Sequence, residues 1–211
     1  MIYCLRFIFF QFIIRPLVTI VIGLNVRRIE NLPKDGPAII VANHNSHLDT
    51  MVLMSIFPIR LLKKLRPAAA ADYFCRNVFI NWFSTKIIGI IPVDRSKEMR
   101  NPIARVVESI REGDIVIFYP EGTRGEAQKM ERLKPGIARL SEKFPDVPIY
   151  PVYLYGLGKS LPKGEAILVP FFCDVFVGKP ILWTGTREKF MLDLQEQLNT
   201  LEKEGNFQSW E

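Results

Sequence analysis

The sequence predicts an α/β fold, a single domain with a central mixed sheet flanked by helices and an N-terminal hydrophobic helix that associates with membranes. Three observations predict it. Short apolar runs of strand length alternate with segments of helical spacing, charged groups crowd the ends of the apolar runs, and residues 1–24 are almost wholly apolar. At 211 residues the chain is long enough for one domain with a full core, and no internal repeat or low-complexity linker divides it.

The N-terminal run is interrupted by Arg15-Pro16. A cleaved signal peptide is disfavoured, because Arg15 breaks the apolar region and no small-residue cleavage site follows. A transmembrane span needs roughly 20 apolar residues, which this run supplies. Arg15 would then sit near mid-membrane at a cost of about 2.5 to 3.5 kcal/mol, and Pro16 favours a bend. The expected arrangement is an anchor over residues 1–26 embedded in one leaflet, with Arg6 and Arg15 snorkelling to headgroups. A buried core helix is the competing assignment.

Residues 37–43 read as a short apolar strand and 50–54 continue as a helical run. The aromatic stretch 78–83 fits ordinary core, with a membrane surface or an acyl groove as the alternatives. Residues 89–95 form an apolar strand ending on Arg95, and 101–110 form a helix before the turn at Gly113. A buried strand then runs over 114–119 straight into Pro120-Glu121-Gly122-Thr123-Arg124. Lys134-Pro135-Gly136 opens a helix over 137–143, and 147–152 is an apolar strand broken by prolines. Late strands are expected over 166–170 and 173–178. Phe190, Leu194, Leu198 and Leu201 recur at helical spacing in a closing helix.

The densest chemistry lies in His44-Asn45-Ser46-His47-Leu48-Asp49, where strand turns into helix. On a uniform helix residues five apart point about 140° away from each other, and on a strand they occupy opposite faces. Only a turn brings the His44 imidazole to the Asp49 carboxylate. Such a pair fixes the tautomer of His44 and stabilises its protonated form, while the other ring nitrogen takes a proton from an attacking hydroxyl. The same residues also have the spacing of a capping box, Ser46-x-x-Asp49, and the two roles are compatible.

Four blocks in order resemble the glycerol-phosphate and lysophosphatidic acid acyltransferases: Asn43-His44-x-Ser46-x-x-Asp49, residues 89–95, residues 118–124 and residues 147–152. They span about half of the chain. Tyr119 stands where that family usually has the phenylalanine next to Pro120. The resemblance implies an O-acyltransferase that moves a fatty acyl group from coenzyme A or acyl carrier protein to a lysophospholipid hydroxyl, most simply making phosphatidic acid. It implies His44 and Asp49 as the catalytic pair, and Arg95, Glu121, Gly122, Thr123, Arg124 and Gly89 as substrate-binding residues. Residues 27–211 are then the acyltransferase domain. Arg95 offers phosphate a planar fork, and Glu121 accepts from a glycerol hydroxyl or holds an arginine. Lys134 is a weaker phosphate candidate.

A hydroxyl is a poor nucleophile until its proton leaves, so a general base suits this chemistry without an acyl-enzyme. Ser46 then serves as a cap, and Cys75 is a small buried residue rather than a nucleophile. Two alternatives use the same residues differently: a thioesterase or hydrolase with water as acceptor, and a non-catalytic membrane module in which the pair is only a cap.

The formal net charge of +6 and isoelectric point near 9.3 suit an anionic partner. No basic run interleaved with aromatics or nucleic-acid module is present, so anionic membrane lipid and a phosphorylated acceptor account for the charge better than nucleic acid. Gly156-Leu157-Gly158-Lys159-Ser160 lacks the spacing of a phosphate loop. Cys4, Cys75 and Cys173 form an odd set without metal spacing, and the two histidines are too few for a catalytic metal centre. No metal, no bound cofactor and no disulfide framework are expected, and the expected location is the cytoplasmic face of a bacterial membrane.

Overall fold

Alternation within the apolar runs sets the architecture of the computed structural model, which describes residues 1–71, 77–93, 102–123, 125, 130–161 and 169–205. In strand β2 (Ala38–Ala42), Ala38, Ile40 and Ala42 belong to one hydrophobic cluster and Ile39 and Val41 to another, and all five are fully buried. Successive side chains on a strand point to opposite faces, so a strand apolar throughout must be covered on both. Helices cover both.

The sheet has seven strands: β1 (Leu24–Arg27), β2, β3 (Leu65–Ala70), β4 (Ile91–Val93), β5 (Ile115–Phe118), β6 (Ile149–Tyr155) and β7 (Cys173–Val177). Their order is β1-β7-β6-β2-β5-β3-β4. The five from β6 to β4 run parallel, β7 is antiparallel to β6, and β1 is parallel to β7. The sheet is therefore mixed, as the sequence predicts.

On one face lie α1 (Ile2–Val21), α2 (Leu48–Ser55) and a 3-10 segment, Ile59–Lys64; on the other lie α4 (Ala104–Arg111), α5 (Gly136–Lys143) and α7 (Arg187–Glu204). Helix α3 (Val78–Ile88) precedes β4, and a single turn, α6 (Leu157–Ser160), follows β6. The closing helix buries Phe190, Leu194, Leu198 and Leu201, the four residues its spacing singles out.

Two strands go beyond the sequence expectation. β1 straddles the 26/27 boundary, and β3 is built from Leu65-Arg66-Pro67-Ala68-Ala69-Ala70, residues of weak strand preference. Position between two neighbours makes β3 a strand. Its first half pairs with β5 and its second half with β4, and Pro67, which has no N–H to donate, sits at the changeover. The expected strand over 166–170 falls mostly outside the described residues, and Val169 and Pro170 belong to no strand.

Helix α1 is long and apolar enough to cross a membrane, yet one of its faces is docked. Phe10, Ile14, Val18 and Ile22 join the core cluster against Phe57, Leu61 and Leu62, with Arg6 buried on the same stripe. These five residues are spaced by four. In an α-helix four residues overshoot a full turn by about 40°. The wider turns over Phe9–Ile14 and Leu17–Val21 advance less per residue, which keeps the stripe straight.

Arg6 and Arg15 do not snorkel, which corrects the sequence expectation. Arg6 Nη2 donates to the carbonyls of Leu65 at 2.8 Å and Ile88 at 2.9 Å, and Arg15 Nη2 donates to the carbonyl of Phe57 at 2.7 Å. Segment ends with unpaired carbonyls draw both guanidinium groups inward. The face of α1 turned away from the domain exposes Phe12, Ile13 and Ile20. Beside it, Val78, Phe79, Ile80 and Trp82 of α3 are exposed too, so this aromatic stretch is surface rather than core. Phe9 on α1 packs edge-on against Phe83, with ring centroids 5.2 Å apart.

Candidate active site

Ligand sites in parallel sheets form beyond the carboxyl ends of the strands. Here β2 and β5 are central neighbours, Val41 pairing with Phe118, so the residues that follow them meet at the carboxyl end of the sheet. After β2, Asn43 extends the ladder with its side chain. Its Nδ2 donates to the Leu154 carbonyl at 2.9 Å and its Oδ1 accepts from the Leu154 N–H at 2.7 Å, as a peptide group would. A further bond, Asn43 Nδ2 to Asn45 Oδ1 at 2.8 Å, ties the start of the turn.

That turn brings His44 to Asp49. His44 Nδ1 lies 2.8 Å from Asp49 Oδ2, and the same oxygen accepts the backbone N–H groups of Asn45 at 2.7 Å and Ser46 at 2.9 Å. The cap and the dyad thus share one carboxylate oxygen at the start of α2. With Nδ1 donating to the carboxylate, Nε2 is left as the acceptor. The His44 side chain is 20% exposed and that of Asp49 is 1% exposed, so the pair meets solvent only through the imidazole. Ser46 Oγ donates to the Leu161 carbonyl at 2.9 Å and receives the Leu48 N–H at 3.2 Å, both packing roles.

Tyr119 completes the setting, its ring stacked on His44 with centroids 4.1 Å apart and planes 19° apart. Its hydroxyl pairs with Thr50 Oγ1 at 2.9 Å. Burial and the nearby Asp49 charge push this phenol well above its ordinary pKa, so it stays neutral.

The loop after β5 wraps over the turn. The Gly125 N–H donates to the His44 carbonyl at 2.9 Å, and Glu121 Oε1 accepts the His44 N–H at 2.8 Å. Glu121 Oε2 accepts the Glu131 N–H at 3.1 Å. With 2% of its surface exposed, Glu121 is a brace between two loops, and burial raises its pKa to about 7. Gly122 has φ +76°, and a Cβ there would come within 2.6 Å of Lys134 Nζ. The left-handed φ favours glycine at this position, whereas the flexible end of Lys134 could swing aside. Thr123 is exposed on the same loop.

His44, Asp49, Glu121, Gly122 and Thr123 therefore converge, and Lys134 joins them. Gly89 does not. It ends α3 with φ +85° against the Arg6 guanidinium, at the amino end of β4 and so at the opposite end of the sheet. Arg95 and Arg124 lie outside the described residues, as does Cys75. Cys173 is a buried thiol whose pKa burial pushes up, and Cys4 is exposed on α1. Among the described residues no group of three His, Cys, Asp or Glu could hold a metal ion.

Asn43 and Tyr119 are the site residues that spacing alone does not single out. For Asn43 the available sign is an asparagine directly after a wholly apolar strand. Tyr119 reads in sequence as one more residue of strand β5, and only the closing of the loop behind it brings its ring to His44.

Two results follow from this geometry. Asn43→Ala leaves the N–H and C=O of Leu154 without partners in a buried place, and a loss of about 2 to 4 kcal/mol is expected by chemical denaturation. Glu121 binds its proton more tightly folded than unfolded, so stability is fullest below about pH 4.5 and falls as pH rises toward 7. Between pH 5 and 8 the wild type should lose about 2 to 3 kcal/mol that Glu121→Gln does not lose, measured by denaturant titration at each pH.

A sequence profile described as Acyltransferase matches residues 23–155. A chloroplast 1-acyl-sn-glycerol-3-phosphate acyltransferase of Arabidopsis thaliana is 32% identical over 162 residues, covering 75% of this chain and 43% of the relative. The alpha 1-acyl-sn-glycerol-3-phosphate acyltransferase of Homo sapiens is 26% identical over 171 residues, covering 78% of this chain and 56% of the relative. This chain spans about half the length of the curated relatives it matches. The crystal structure of a 1-acyl-sn-glycerophosphate acyltransferase from Thermotoga maritima has the same fold, with a TM-score of 0.72 at 23% identity over 89% of this chain and 74% of that one.

Proposed function

Because the chain belongs to the acyltransferase family, we propose that it transfers a fatty acyl group from a thioester to the free glycerol hydroxyl of 1-acylglycerol-3-phosphate, forming phosphatidic acid. The observation that carries this reading is the 2.8 Å contact between His44 Nδ1 and Asp49 Oδ2 at the carboxyl end of β2. In this scheme His44 Nε2 takes the hydroxyl proton as the oxygen attacks the thioester carbonyl. The tetrahedral intermediate collapses with expulsion of the thiolate, which takes the proton back from the imidazolium. Asp49 stabilises that imidazolium, and the Tyr119 ring holds the imidazole plane.

Arg95, Gly122, Thr123 and Arg124 are assigned to the acceptor's phosphate and glycerol, with Glu121 holding the loop after β5 against His44. Gly89 serves the same block by ending α3 where β4 begins. The donor is acyl-coenzyme A or acyl carrier protein. Residues 1–26 remain the proposed anchor, with the outer faces of α1 and α3 in one leaflet on the cytoplasmic side. Substrate and product are both lipids, so such an attachment shortens the path between bilayer and site.

Membranes carrying the full chain, incubated with labelled acyl-coenzyme A and lysophosphatidic acid, should yield labelled phosphatidic acid. Label appearing only as free fatty acid would assign hydrolysis instead. Label reaching a different lysolipid would keep the reaction and change the acceptor.

A further inference from the structure

A cleft of about 590 Å³ opens at the end of the sheet opposite His44, between the start of α1, the Ile59–Lys64 segment, the end of α3 and helix α4. Five cations line it: Arg6, Lys63, Arg66, Lys86 and Arg105. Glu108 and Glu112 are the acidic residues on its wall, so the lining carries a net positive charge of three. Asp114 Oδ2 lies 3.8 Å from Arg66 Nε, a long ion pair that offsets part of this charge, and it also accepts from Ser109 Oγ at 2.6 Å.

Arg6 is the informative member. Only 5% of its surface is exposed, its Nη2 is spent on two carbonyls, and among the described residues its Nε has no hydrogen-bond partner. Arg66 Nε is likewise buried without a hydrogen-bond partner among the described residues. Burial and the neighbouring Arg66 together lower the Arg6 guanidinium to about 10. Asp114 compensates this pair only through a long ion pair, and two adjacent guanidinium groups whose buried Nε atoms have no hydrogen-bond partner among the described residues are better satisfied when a further anion joins them. Arginine forks favour the oxygens of phosphate, and Lys63, Lys86 and Arg105 stand exposed at the mouth to meet it.

We propose that this cleft binds a phosphate group at a site separate from the proposed active site. Ile2 and Tyr3 of α1 and Thr85 of α3 form part of its wall, continuous with the exposed apolar faces of the two helices. A phosphate seated there lies where the headgroup of an anionic phospholipid would lie if those faces enter a leaflet. The proposal stands on the cleft and does not require acyl transfer.

The test uses the full chain, the double variant Lys86→Ala/Arg105→Ala and the charge-matched control Lys189→Ala/Lys203→Ala on α7. All four positions are exposed, so folding should be retained, which melting curves check. Flotation with phosphatidylcholine vesicles, with or without phosphatidylglycerol, is run beside calorimetric titration with inorganic phosphate. The cleft variant is expected to lose about 30-fold in affinity for the anionic vesicles and nothing on the neutral ones, with the control much less affected. Loss of inorganic phosphate binding with unchanged vesicle affinity would also uphold the site and assign it to a soluble phosphate. If the cleft variant matches wild type in both assays, or loses no more than the control, the proposal is overturned.

Discussion

Replacing His44 with alanine should lower phosphatidic acid formation by a factor of about 10² to 10⁴ while leaving the fold intact, because general-base catalysis contributes on that scale. The imidazole is a partly exposed group at the end of a turn, and its removal leaves Asp49 Oδ2 with the N–H groups of Asn45 and Ser46. Asp49→Asn is the sharper probe. The asparagine oxygen can still accept both backbone donors and so keep the cap, yet a neutral amide does not stabilise the imidazolium. A loss of turnover of similar size is the expected result, together with a moderate loss of stability, because the new amide N–H groups occupy the buried Oδ1 position, which has no hydrogen-bond partner among the described residues. If Asp49→Asn retained full turnover in the labelled-lipid assay, Asp49 would be only a helix cap.

The other large effect concerns stability. Phe10→Ala removes a fully buried ring from the core beneath α1, and a loss of about 3 to 5 kcal/mol is expected by denaturant titration. Phe12→Ala, two residues on, changes a ring that is 65% exposed, and less than about 0.5 kcal/mol is expected in the same titration. The order reverses for vesicle binding, where Phe12 should matter and Phe10 should not. Equal, small losses in stability for both variants would mean that α1 is a detached anchor.

These contrasts mark where the sequence is legible and where it is not. Strand β2 is readable because five consecutive apolar residues between Gly36-Pro37 and Asn43 have the length and flanking breakers of a doubly covered strand, and α7 because four hydrophobes fall at helical spacing. His44 and Asp49 can be paired on paper because the strand-to-helix transition between them leaves only a turn. Strand β3 is not readable, since Ala and Pro acquire strand geometry from β5 and β4 and not from their own preference. Arg6 and Arg15 are misplaced by the sequence for a related reason: composition shows a cation in an apolar run, and only the fold shows which carbonyls await it. The role of Glu121 as a brace is hidden because both of its partners are backbone N–H groups, which every residue type except proline supplies.

The stripe of Arg6, Phe10, Ile14, Val18 and Ile22 gives α1 a reading frame. Residues in phase face the core, and residues between them, such as Phe12, Ile13 and Ile20, face outward. Inserting or deleting one residue near Gln11 would put the two halves of the helix out of phase, turning Phe10 or Ile14 away from the sheet and an outward residue into it. The length of this helix is therefore constrained in steps of about four residues, although hydrophobicity alone would let it drift freely.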